Sequence, residues 1–144
     1  MRKKVLGLFF AAFLLWRPFT SMACYEVSYD EAQLLLKVAE AEAGNQGSDG
    51  MWLVMSVIVN RVNSGDFPDS INDVIYQKNQ FSTVSNGAID RVEISAEAHE
   101  ALARIEKGDV AKEIIAFENV KNDFLSRYFW AAFEHKDHRF YTVK

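Results

Sequence analysis

The chain has 144 residues, with 16 Lys and Arg against 20 Asp and Glu and a formal charge of −4 at neutral pH. That length suits one domain with an ordinary core, and the acidic balance leaves no basic stripe to neutralise phosphates, so neither nucleic acid nor an anionic surface is an expected partner. A single Cys precludes an internal disulfide and any cysteine-based zinc site, so the fold must hold by packing alone.

The first residues, Met1-Arg2-Lys3-Lys4, precede an apolar run over residues 5–16 and then Ser21-Met22-Ala23, with small residues three and one before Cys24. This is the pattern of a secretory signal peptide over residues 1–23, with one domain in 24–144. The run is about twelve residues, short of the roughly twenty that span a bilayer. Export to the periplasm, cell wall or medium is therefore expected, with no stable membrane insertion after cleavage. Lipid attachment at Cys24 is a weaker alternative, because no aliphatic residue stands three before it. Removing the leader takes away Arg2, Lys3, Lys4 and Arg17 and no acid, which leaves 12 basic against 20 acidic residues and a charge of −8.

Ser28 and Glu31 have the spacing of a capping box, which predicts a helix over 29–43. Leu34, Leu35, Val38 and Ala41 form an apolar stripe that Glu42 extends, so Glu42 is expected to point inward. Glu40 lies about 160° away around the helix and is expected on the outer side with Leu36 and Lys37. A carboxylate in an apolar wall at the negative end of a helix is harder to ionise, as a proton donor near neutral pH requires. Residues 44–47 suit a left-handed exit, and Ser48 or Asp49 can cap a second helix over 50–63, apolar on nearly every face and therefore central. Ser70 and Asp73 open a short helix through 76. Residues 77–87 read as a polar loop able to line a cleft, and 95–107 as a helix closed by Gly108. Residues 114–117 form a buried strand or a helix end; 124–133 lean to helix, with Phe124, Tyr128, Phe129, Trp130 and Phe133 expected in the core and Trp130 a possible sugar platform. Residues 138–143 read as a terminal strand.

The ordered set Ala41-Glu42-Ala43-Gly44, Gly50, Val57 to Asn60-Arg61-Val62, Phe67-Pro68, Ile71, Val74-Ile75, Gln80-Phe81-Ser82, Ala116-Phe117-Glu118-Asn119 and His138-Arg139-Phe140-Tyr141 resembles the SleB/CwlJ-like cell wall hydrolases, the spore cortex-lytic enzyme family. The resemblance implies a lysozyme-like single domain, mainly α with a small β element (α+β), acting on peptidoglycan glycan strands. It places the catalytic glutamate at Glu42, where the helical wheel also points. The sequence departs from the family pattern in two places. Ala43-Gly44-Asn45-Gln46 lacks the arginine and second acid that follow the glutamate in many members, and Lys136-Asp137 stands where many have a glycine before the histidine motif.

Gln80, Ser82, His138 and Tyr141 are the candidate substrate-binding residues, the last two at the rim of the cleft. Asn60-Arg61 reads as a helix end. Glu118 is a candidate second carboxylate, but the reading preferred for it is an exposed strand-end acid. The His135-x-x-His138 spacing lacks the further ligands that zinc needs, so no metal or cofactor is expected, and a monomer is. The chemistry that follows is cleavage between N-acetylmuramic acid and N-acetylglucosamine with Glu42 as single general acid and base, by lytic transglycosylation or by a water-using muramidase route. An N-acetylmuramoyl-L-alanine amidase and a non-catalytic exported glycan-binding protein are the alternatives.

Overall fold

The computed structural model describes residues 26–144; the expected leader and Cys24 lie outside them. Helix α1 (Tyr29–Ala43) begins with the capping box: the Glu31 amide donates to Ser28 Oγ, and Glu31 Oε2 accepts from the Ser28 amide at 3.0 Å. A single turn of tighter helix (Gly44–Gln46) leads into α2 (Gly47–Ser64), which therefore starts earlier than the sequence suggests. Neither Ser48 nor Asp49 caps it, since Gln46 holds the cap position, and Asp49 pairs instead with Arg104 at 2.9 Å. Gly47 takes the positive φ, 72°, that lets the chain turn without a break, and Gly65, at φ 76°, ends the helix.

Helix α2 is the central element, with Met51, Val54, Met55, Val57 and Ile58 wholly buried. Against it pack α1, the short α3 (Ile71–Tyr76) capped by Ser70, and α5 (Ala96–Glu106) capped by Ser95, while the four-residue α4 (Ser82–Ser85) lies on α1. Because α2 and α5 both pack on α1, that helix buries more than one stripe. Leu36, expected outside, is consequently buried at 1% exposure. Glu40, one turn on along the same face, is half-buried, and its Oε2 accepts from Ser95 N at 3.0 Å and Ser95 Oγ at 2.6 Å. The supposed outer carboxylate thus fastens α1 to the start of α5.

Beyond α5 the chain forms an antiparallel sheet in the order β1-β3-β2, from β1 (Ala116–Asn119), β2 (Trp130–His135) and β3 (His138–Thr142). Leu53, Val57, Ile114 and Phe140 form a second cluster between α2 and this sheet. Residues 124–133 are not the helix their composition suggests. Only one tight turn, Leu125–Arg127, precedes β2, which pairs with β3 across the turn at Lys136-Asp137. Aromatic residues serve either state, and the available hairpin partner decides between them. Nor is the aromatic set core: Phe124, Tyr128, Trp130 and Phe133 are 57, 58, 60 and 43% exposed, while Phe129 is half-buried. The mainly helical α+β architecture is as expected, and no helix among the described residues is long and apolar enough to cross a membrane.

Candidate active site

Glu42 is the penultimate residue of α1. Ala43 beside it is fully buried, whereas Glu42 itself is half-buried and opens onto a cleft of about 360 Å³. Thr83, on α4, donates its hydroxyl to Glu42 Oε1 at 2.5 Å. Burial raises the Glu42 pKa above the ordinary glutamate value, and the hydrogen bonds from Thr83 offset part of that rise. The carboxyl is thus biased toward holding its proton while remaining accessible to a substrate oxygen.

Gln80 and Ser82 line the same cleft, although Ser82 opens α4 rather than lying in the loop expected over 77–87. Gln80 Oε1 accepts from Arg61 Nη1 at 3.0 Å, and Arg61 Nε reaches the Ile115 carbonyl at 2.6 Å. Arg61 is therefore more than a helix end: only 6% exposed, it ties α2 to the loop before α4 and to the residue preceding β1. Its guanidinium lies 4.9 Å from the Phe67 ring centre and 5.5 Å from that of Phe81. Burial lowers its pKa to about 10, which leaves it cationic at neutral pH.

His138 lines the cleft but is 8% exposed, so it forms wall rather than rim. Its ring centre is 4.8 Å from that of Phe117, and its Nδ1 lies 3.1 Å from Gln46 Nε2. With the amide donating, the imidazole proton resides on Nε2. Burial lowers the His138 pKa, with Asp137 opposing the shift and His135 adding to it, so the ring is neutral at pH 7. Tyr141 is not at the rim either. It is wholly buried, and its hydroxyl donates to Glu118 Oε1 at 2.5 Å. Burial raises the phenol pKa, as does the bond to Glu118.

Glu118 is the main revision. Rather than an exposed strand-end acid, it is half-buried and lines the same cleft as Glu42. Its oxygens also accept the amides of Phe124 and Leu125, both at 3.2 Å. Its place on β1 was legible, but its orientation depends on Tyr141 of β3, a partner 23 residues away. Thr83 was missed because nothing in the sequence distinguishes its hydroxyl from that of Ser82 until α4 fixes which one faces α1. Asn79 and Asn122, also on the cleft, carried no signal beyond polarity.

The two stretches that depart from the family pattern touch each other. Asn45 Nδ2 donates to Asp137 Oδ2 at 3.2 Å, and Lys136 Nζ donates to the Gln46 carbonyl at 2.7 Å. Among the described residues, no three His, Cys, Asp or Glu side chains converge as metal ligands would.

The described residues thus form a helical domain with a three-stranded sheet, opening on a polar cleft that holds a protonation-biased glutamate. The chain belongs to the cell wall hydrolase family, whose model matches residues 45–141. That match begins three residues after Glu42, so the helix-end carboxylate stands on its own geometry. The chain is 36% identical over 62 residues to the spore cortex-lytic enzymes of Oceanobacillus iheyensis and Halalkalibacterium halodurans, which covers 43% of this chain and 22% and 19% of theirs. It thus spans about a fifth of the length of these relatives. Two solved structures share the fold at TM-score 0.71 and 21% identity: the catalytic domains of the germination-specific lytic transglycosylase SleB from Bacillus anthracis and of the Bacillus cereus SleB protein. The superpositions cover 82% of this chain and 98% and 94% of those domains.

Proposed function

We propose that this protein is an exported enzyme that cleaves peptidoglycan glycan strands between N-acetylmuramic acid and N-acetylglucosamine, with Glu42 as general acid and then base. The supporting observation is the Glu42 carboxyl itself, pushed by burial toward its protonated form and facing a cleft lined by amide side chains. The cortex-lytic and transglycosylase names of the relatives point the same way.

In this reading Glu42 gives its proton to the glycosidic oxygen as the C1–O bond breaks, leaving a cation-like muramic acid ring. The ionised carboxylate then takes the proton from the muramic acid 6-hydroxyl as O6 bonds to C1. The anhydro ring closes and Glu42 is again protonated. Thr83, donating to Oε1, favours the ionised form that the second step needs. Arg61, Gln80 and Asn79 are placed to orient sugar hydroxyls and acetamido groups, and His138 to donate from Nε2.

A second reading is favoured by Glu118. Its presence in the same cleft supports a water-using muramidase, in which this carboxylate assists an attacking water or steadies the cation. Mass spectrometry of fragments released from purified peptidoglycan separates the two. Anhydro-muramic ends that persist in Glu118→Gln support transglycosylation. Reducing muramic ends that vanish in Glu118→Gln support the muramidase. Free stem-peptide amines with intact glycan would overturn both and make the protein an amidase.

A further inference from the structure

The Glu42 cleft does not end at Glu118. A second hollow, of about 640 Å³, shares Arg61, Asn79, Gln80, Phe117, Glu118 and Asn122 with it and continues between Phe67 and the segment holding Phe124, Tyr128 and Phe129. The two hollows form one groove, polar around Glu42 and aromatic beyond Glu118. Phe124 and Tyr128 keep more than half of their surface in solvent, with ring centres 5.5 Å apart. Leaving two large rings in water forgoes the burial that would otherwise stabilise the fold.

The backbone that enters this aromatic turn is also held in place. Glu118 accepts the backbone amides of Phe124 and Leu125 and is itself fixed by the Tyr141 hydroxyl, so the buried end of β3 sets the position of the aromatic turn. Aromatic faces on an anchored backbone, beside amide side chains, suit a pyranose: the C–H face of the sugar can lie against a ring while its hydroxyls and acetamido group reach Asn79, Gln80 and Asn122. Preorganisation spares the ordering cost of binding. A stem peptide, with its carboxylates, would need cations along this wall; among the described residues Arg61 is the cation that lines the hollows, where the two meet, and Arg127 lies over the Phe124 ring, 5.8 Å from its centre. Trp130, the platform suggested by composition, lines neither hollow.

We propose that Phe124 and Tyr128 form a sugar-stacking subsite that takes an N-acetylhexosamine of the glycan strand next to the residues held at Glu42. The inference rests on the glycan-cleaving function proposed above and adds a reason for longer strands to bind better.

The test uses the Glu42→Gln protein and isothermal titration with peptidoglycan disaccharide and hexasaccharide fragments. The hexasaccharide is expected to bind more tightly than the disaccharide, and Phe124→Ala with Tyr128→Ala in that background to remove about tenfold of the advantage, as expected for two ring contacts. The exchange Phe124→Tyr with Tyr128→Phe keeps both faces and should keep the advantage. An advantage that stays within about twofold in the alanine protein, or is lost equally in the conservative one, overturns the subsite. Digestion of sacculi by the unaltered protein separates the two claims. Glycan release alongside an unchanged length advantage in the alanine protein defeats the subsite only, whereas absence of glycan release defeats the function on which it rests.

Discussion

Glu42 and Glu40 sit two residues apart on one helix, and their environments assign them separate consequences. Glu42→Gln retains the side-chain shape, and its amide oxygen can still accept from Thr83 Oγ1, but it has no proton to deliver. Loss of general acid catalysis costs about 10²- to 10⁴-fold in rate, or about 3–5 kcal/mol in the activation barrier. Glu40→Ala removes the acceptor of both the Ser95 amide and hydroxyl at the start of α5. It should cost about 1–3 kcal/mol of stability and lower Tm by several degrees, with kcat within about twofold of the unaltered protein.

The pH dependence follows from the raised Glu42 pKa. A general acid works only while protonated, so activity falls as pH rises through a value above that of an ordinary glutamate. The same carboxyl contributes to stability with a definite sign. Its folded pKa exceeds its unfolded one, so the contribution is full below the unfolded value and is lost as pH rises through the folded one. Glu42→Gln should remove that slope and leave Tm at neutral pH equal or higher. Turnover of purified peptidoglycan and thermal melts across pH provide the readouts. Equal rate losses in the two variants, or full turnover in Glu42→Gln, would refute the assignment.

Thr83→Val keeps the shape but removes the hydroxyl that favours ionised Glu42, so the alkaline limb of the pH–rate profile should move up, a shift read from initial rates on soluble glycan fragments. Val57→Ala truncates a fully buried side chain between α2 and the sheet and should cost about 1–3 kcal/mol in denaturant unfolding; a loss below about half a kcal/mol would mean that α2 is not the central support. Tyr141→Phe deletes one donor to Glu118 while the two amides remain, so about 1–3 kcal/mol of stability should go and binding of long glycan fragments should weaken more than binding of disaccharide.

Local chemistry made much of this protein legible in its sequence. Capping residues Ser28, Ser70 and Ser95 start helices where expected, and the all-round apolar pattern of α2 correctly made it central. Glu42 was singled out because it extends one helical stripe, and it opens onto the cleft. Errors arose where a second partner mattered. Glu40 and Leu36 were assigned to solvent because a wheel of one helix cannot show that α5 covers its far side. The segment 124–133 was misread because pairing with β3, rather than its own composition, makes β2 a strand. Glu118, Tyr141 and His138 took their true positions only through contacts between elements distant in the sequence.

The contact between Gln46 and His138 joins residues 92 positions apart, as does that between Asn45 and Asp137. Loops of that length close late and slowly, since little local structure rewards their closure in advance. The helices can assemble through nearer contacts while the wall of the cleft opposite Glu42 waits for the hairpin. A chain whose hairpin has yet to form would carry Glu42 on a helix with no opposing wall, and the complete cleft would arrive with the last strand.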